Sequence, residues 1–385
     1  MRTLNALLIV SLIVSVAGHA YADNIIRIGV SLGLTGKYAA ITRLQEEGYR
    51  LWERDVNKRG GILGKKVRLI IKDDEGDPEK SVSIYRGFFK NKEVDLVFAP
   101  YQSDIAYVAT QVIEQYGYPT IVSGASDDRI WQRGFKNIFG LYSPASRYFL
   151  GFLDLAASKM LKSLAIVYSS ELWSRTAAEG AAKWGKEFGL KVVYKMKYSN
   201  NNEIMEISRK LKAINPDAVV VCSYFEDSVE FVRAFKKVGF FPKALCEGIG
   251  PAMPEFYKRL GRDAEDIYGP SMWETNYRMP YPNNRQFIED FIDYYHHEPN
   301  YHAASAYAAG ILLEKAIIKA GSFNRNRLRK ALSDMDTLTL IGRYHVDDTG
   351  LQLGHRPITI QWQNGKKEIV WPRAMQTTQP IIGAE

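Results

Sequence analysis

The sequence predicts an α/β protein built as two parallel-sheet units. Three observations carry that prediction. Short β-branched runs alternate with amphipathic helical stretches; the alternation stops near Leu141 and starts again; and two long helical stretches follow the second unit without a strand of their own to cover. A length of 385 residues is also too great for one ordinary core.

The elements follow in order. Ile25 to Ser31 reads as a strand. Tyr49, Trp52 and Val56 recur at helical spacing until Gly60-Gly61 stops the helix. Val67 to Ile71 is a strand, and Asp77-Pro78 opens a helix as cap and first-turn proline. Leu96 to Ala99 is a strand, a helix runs from Asp104, and Thr120 to Val122 is a strand. In the second unit, strands at Leu164–Tyr168, Val192–Tyr194, Ala218–Val221 and Lys243–Cys246 alternate with helices at Thr176–Phe188 and Glu203–Ile214 and one through Phe231 and Val238. The helices at Asn284–Tyr295 and Ala303–Ala320 need a sheet to cover. The simplest solution returns them to the first unit, so the chain crosses between units more than once.

Composition excludes several classes. The apolar fraction of 46% is that of a globular protein, and the net charge of +8 comes from basic residues scattered among 43 acidic ones. No basic stripe or nucleic-acid motif is present, so nucleic acid is not expected as a partner. At the N-terminus, Met1-Arg2, the apolar run Leu7–Val16 and Ala20-Tyr21-Ala22 form the pattern of a signal peptide cleaved after Ala22. Export would place Cys222 and Cys246 in an oxidising space, where either a bridge or two buried thiols is expected.

Enzyme motifs fail. Gly33-Leu34-Thr35-Gly36-Lys37 resembles a phosphate loop, but Tyr38 follows the lysine and the first glycine is missing. His296, His297 and His302 lack metal-ligand spacing and read as surface histidines. Asp73-Asp74 and Asp127-Asp128 abut turns and read as caps. No metal, cofactor or catalytic group is expected.

Three segments carry a resemblance. Ile28 to Gly36 looks like an opening strand and P-x-T-G turn, Asn57-Lys58-Arg59-Gly60-Gly61-Ile62-Leu63-Gly64-Lys65-Lys66-Val67 matches N-x-x-GGI-x-G-x-x-[VL], and Asp73-Asp74 with Asp77-Pro78 matches DD-x-x-[DN]P. In these the chain resembles, from about Ile26 to Trp371, the periplasmic binding proteins of branched-chain amino-acid ABC importers, with the type I periplasmic-binding fold.

The resemblance implies two Rossmann-like lobes joined by three crossovers, with a ligand cleft between them. It implies a leader at 1–22, one lobe from 23–141 and 270–345, and the other from 142–269 and 346–385. It implies a monomeric, non-enzymatic capture protein for an amino acid or similar zwitterion, whose partner is an ABC permease. An aromatic carboxylate, amide or urea ligand is the alternative; a secreted sensor or enzyme on the same scaffold is a further one.

For the site, the loop Tyr101-Gln102-Ser103 is implied to hold the ligand carboxylate through Ser103. Gly124 would offer a carbonyl and Ser126 a hydroxyl. Tyr101, Trp173 and Tyr224 would form aromatic wall, and Glu247 would pair with an α-ammonium. Ile41 stands where some relatives have an aromatic residue.

Overall fold

The structure is a computed structural model that describes residues 24–276 and 278–383. The leader and its cleavage site lie outside the described residues.

The first half carries β1 (Ile25–Leu32), α1 (Ala39–Lys58), β2 (Lys66–Asp73), α2 (Pro78–Lys90), β3 (Leu96–Phe98), α3 (Ser103–Gln115), β4 (Thr120–Val122) and β5 (Ile138–Gly140). Its five strands form a wholly parallel sheet in the order β2-β1-β3-β4-β5. Parallel strands must be joined by crossovers, and the helices that make them cover both faces.

The second half carries α4 (Leu150–Ser158), β6 (Ser163–Tyr168), α5 (Leu172–Glu187), β7 (Lys191–Lys197), α6 (Asn201–Ile214), β8 (Ala218–Cys222), α7 (Phe225–Val238), β9 (Ala244–Glu247), α8 (Pro254–Leu260) and β10 (Tyr268–Ser271). The chain then runs through α9 (Asn284–Tyr295), α10 (Tyr301–Ala320) and α11 (Arg325–Ser333). A small pair, β11 (Thr337–Thr339) with β12 (Gly342–Tyr344), follows, and then the hairpin β13 (Ile358–Gln363) and β14 (Lys366–Trp371). The second sheet has the order β14-β13-β10-β9-β8-β6-β7, with β13 antiparallel to β10 and β14 antiparallel to β13.

The returning helices do pack on the first half. A methyl group placed on Gly48 of α1 would lie 2.1 Å from the Ala303 carbonyl oxygen of α10, and one on Gly310 would lie 2.1 Å from the Trp52 ring. Only glycine allows that approach, which buries Trp52 completely. The chain therefore passes between the halves three times: after β5, after β10, and between β12 and β13.

Local chemistry sets the helix starts. Asp77 caps α2 by accepting from the Glu79 and Lys80 amides, as its place before Pro78 predicts. The helix expected from Asp104 begins one residue earlier, and the one expected near Thr176 begins at Leu172. The short strands β5 and β10 and the closing hairpin were not anticipated.

Cys222 and Cys246 are free, buried thiols. Cys246 stands opposite Val220 on the neighbouring strand, two residues from the level of Cys222. Strand spacing of about 4.8 Å and a two-residue offset of about 6.6 Å put their Cα atoms beyond disulfide reach. Among the described residues no helix is long and apolar enough to cross a membrane.

Candidate functional site

The loops at the carboxyl ends of both sheets face one another, the position where open α/β sheets bind ligands. After β3, Gln102 takes a φ of 71°, a conformation that costs a non-glycine residue free energy. Its side chain offsets that cost by capping α3: Oε1 accepts from the Asp104 amide at 2.7 Å and the Ile105 amide at 3.0 Å. Its Nε2 donates to Asp104 Oδ2 at 2.6 Å. Gln102 is thus occupied by the helix and does not line the cleft.

Ser103 does line it. Its Oγ accepts from the Ser126 and Asp127 amides, each at 3.3 Å, which ties the loop after β3 to the loop after β4. The hydroxyl proton remains free to donate into the cleft. The Gly124 carbonyl accepts from the Gln102 amide at 3.3 Å. A side chain on Gly124 would meet Gln45 Nε2 at 2.6 Å and the Tyr101 ring at 2.8 Å, so glycine is required there. The Ser126 hydroxyl donates to Tyr148 Oη at 2.9 Å.

Rings close the space. Tyr101, Tyr38, Tyr224, Trp173 and Tyr148 follow one another with centroid separations of 6.1, 5.6, 5.5 and 5.2 Å. The chain continues on the other side of Tyr101 through His302, at 5.6 Å, to Tyr301, which stacks on His302 at 3.9 Å. All but the stacked Tyr301–His302 pair are tilted or edge-on, arrangements that ring quadrupoles favour. In this closed arrangement the cleft leaves about 10 Å³ to the centre of a water molecule, about one water's worth. A larger guest requires the lobes to part.

Six of the expected residues are thereby brought together: Tyr101, Ser103, Gly124, Ser126, Trp173 and Tyr224. Glu247 is not among the lining residues. It ends β9, fully buried, with Oε2 accepting from Ser223 Oγ at 3.2 Å and Oε1 without a partner. Burial pushes its carboxyl well above the usual carboxylate range. The reason it misses the surface is local. Gly248 approaches so closely that a side chain there would lie 2.3 Å from the Ser223 carbonyl and 3.0 Å from Trp173, so Trp173 packs over this strand end. Ile249, two residues on, does reach the cleft.

Residues that sequence reasoning passed over are Tyr38, Tyr142, Tyr148, Ile249, Tyr301 and His302. Tyr38 had a signal, since it lies in the loop after the first strand. His302 corrects an expectation: His296 and His297 are exposed, but His302 is only 1% exposed. It sits in the first turn of α10, which faces inward.

The rim of the cleft is charged. Lys37 pairs with Glu171 across the lobes at 2.6 Å. Arg129 grips the fully buried Asp127 through Nε at 3.0 Å and Nη2 at 2.7 Å, and its Nη2 also donates to the Leu172 carbonyl at 2.9 Å. The first helical amide of α5, from Leu172, donates to Asp104 Oδ2 of the other lobe at 3.2 Å. Glu171 provides no side-chain cap of its own, so the opposite lobe supplies it. Among the described residues no cluster of acidic, histidine or cysteine side chains is arranged to hold a metal ion.

Comparison with known proteins fits this architecture. A family model described as "Periplasmic binding protein" matches residues 25–367. The chain is 24% identical to Leu/Ile/Val-binding protein homolog 7 of Brucella suis, over 96% of each chain. An ABC transporter substrate-binding protein from Desulfitobacterium hafniense in complex with Leu superposes with a TM-score of 0.78 at 22% identity, covering 90% of this chain and 99% of that one. A solute-binding protein of an ABC transporter from R. palustris in complex with benzoate gives 0.79 at 18% identity, covering 94% and 99%. At these identities the structural matches establish the fold alone.

Proposed function

The chain belongs to the periplasmic binding protein family, and from that premise we propose that it captures an amino acid, or a close zwitterionic relative, and hands it to the permease of an ABC importer. The leader would be removed after Ala22, leaving a non-catalytic monomer in the periplasm. One observation carries the choice of ligand. Glu247 is a wholly buried carboxyl at a strand end beside the cleft, with one oxygen lacking any partner. A buried acid in that condition is costly unless a cation or donor meets it. An α-ammonium entering between Trp173 and Tyr224 would do so once the lobes open, while Ser103 donates to the ligand carboxylate. The names of the Brucella relatives point the same way.

A second reading has its own observation. Among the described residues, no side chain lining the closed cleft carries a fixed charge; the lining is rings and hydroxyls with Gly124 and Ile249. That suits an aromatic carboxylate, such as the benzoate held by the R. palustris protein. The substitution Glu247→Gln separates the two. With an amino acid as ligand, removing the countercharge should weaken binding by on the order of a hundredfold or more in calorimetry, since breaking one side of a buried pair costs about 3–5 kcal/mol. With an aromatic acid, affinity should hold or rise. Undiminished amino-acid binding by Glu247→Gln would remove Glu247 from the site.

A further inference from the structure

Asn300 caps α10, and that duty fixes its orientation. Its Oδ1 accepts from the His302 amide at 3.0 Å and the Ala303 amide at 3.1 Å. The amide nitrogen must therefore be the atom facing His302 Nδ1, at 3.4 Å, and Met253 Sδ, at 3.5 Å. An amide NH2 only donates, so Nδ1 is the accepting nitrogen and the ring proton sits on Nε2. The ring does not escape by protonation: burial, with Lys367 adding to it, pushes its pKa down to about 3. Nε2 faces Tyr101 Oη at 3.5 Å, too long for a firm bond, and both residues line the cleft. The cleft wall at this end thus presents a neutral N–H donor set by a helix cap, beside a hydroxyl that can turn to donate with it.

We propose that His302, held as the Nε2–H tautomer by Asn300, is a specificity-determining residue that selects a ligand carrying a hydrogen-bond acceptor in the part that meets the His302–Tyr101 wall. This rests on the cleft being the ligand site and deepens it: the preferred guest has an ether, carbonyl, hydroxyl or ring-nitrogen acceptor, rather than a purely hydrocarbon side chain. A buried donor left facing a hydrocarbon loses its hydrogen bond, which is what rejects the wrong guest.

Isosteric probe pairs test it by calorimetry: norvaline against O-methylserine, phenylalanine against 3-pyridylalanine and, for the aromatic-acid reading, benzoate against nicotinate. The acceptor-bearing member of the pair that binds should bind about tenfold tighter or more. His302→Phe, which retains the stacking on Tyr301, should abolish the difference, and His302→Gln, which restores an N–H donor, should recover part of it. Equal affinities within the binding pair, or a preference that survives His302→Phe, would overturn the proposal. Ring ¹⁵N spectra of the protein without added ligand give an independent arm. A proton on Nε2 is expected; a proton on Nδ1 overturns the assignment. Failure of every amino acid to bind, with nicotinate preferred over benzoate, would sink the amino-acid reading and leave this one standing.

Discussion

The rim and the interior of the cleft solve opposite problems. The rim brings two lobes together, and it uses charge: Lys37 to Glu171, Arg129 to Asp127 and Leu172, Asp104 to the first amide of α5. The interior, proposed above to receive a guest, is lined among the described residues by rings, hydroxyls, Gly124 and Ile249, with the acid Glu247 set behind Trp173. The difference teaches where directional bonds are useful. At the rim, partners converge on a two-residue segment, Glu171-Leu172, immediately before Trp173. Closing the lobes therefore also fixes the ring that covers the strand end of Glu247. Wall and latch are one piece of chain.

The strongest way to break that comparison is Arg129→Met. Asp127 is fully buried, and among the described residues its carboxylate is met, besides the guanidinium, by the Arg129 amide at 2.9 Å and the Thr176 hydroxyl at 3.3 Å. Removing the cation leaves a buried carboxylate largely uncompensated, and stability should fall by on the order of 3 kcal/mol in urea denaturation. A loss below about 1 kcal/mol would show that the rim is held by packing rather than by its ions.

The interior makes a contrasting prediction about pH. Glu247 has a folded-state pKa raised above its ordinary value of 4.5 by burial. The folded protein thus keeps a proton that the unfolded chain releases. Where the unfolded state binds fewer protons, stability falls as pH rises. The ligand-free protein should lose stability from the ordinary carboxylate pKa upward, through the raised folded pKa, at no more than about 1.4 kcal/mol per pH unit from this group. In the Glu247→Gln variant that part of the slope should vanish in thermal melts taken across the range. Parallel profiles for the two proteins would mean that Glu247 is ionised in the folded state and has a partner that the closed arrangement conceals.

How much of this was legible in the sequence follows the same division. Loops at strand ends are readable because a strand, a turn and a cap each leave a local mark. Ser103, Gly124, Ser126, Trp173 and Tyr224 lie in such loops and were named from the family resemblance of those segments, whereas the cap at Asp77 was read from local chemistry alone. Tyr148, Tyr301 and His302 leave no such mark. They come from segments that reach the cleft only because the chain crosses between lobes, and no local spacing encodes a crossing. His302 was further disguised by His296 and His297, which lie on exposed backbone before α10 begins. The capping asparagine was the missed signal: Asn300 starts the helix, and the alanine-rich run after it marks a buried helix whose first turn points inward. Gln102 misled for the opposite reason. It stands beside the right serine, but the orphan amides of α3 claim its side chain first.

The smallest effect belongs to the outermost contact. Lys37 is 59% exposed at its side chain, while Glu171 is 17% exposed and also accepts from Ser169. The pair spans the two lobes, so it exists only when they are closed and should favour closure without touching the guest. Its worth is that of a surface ion pair, below about 1 kcal/mol, because water already solvates the lysine well. Lys37→Ala should therefore weaken ligand binding by no more than about fivefold at low ionic strength. The deficit should shrink as salt is raised, since the wild type loses the attraction to screening and the variant has none to lose. Unfolding of the ligand-free protein should barely change. The salt dependence is the discriminating feature. A deficit that persisted at 1 M salt would mean that Lys37 acts by orienting its neighbour Tyr38, whose ring it overlies at 5.4 Å and whose burial pushes the hydroxyl pKa up to about 12. In that case Lys37 would be part of the aromatic wall, and the separation of a charged rim from an uncharged interior would fail at that residue.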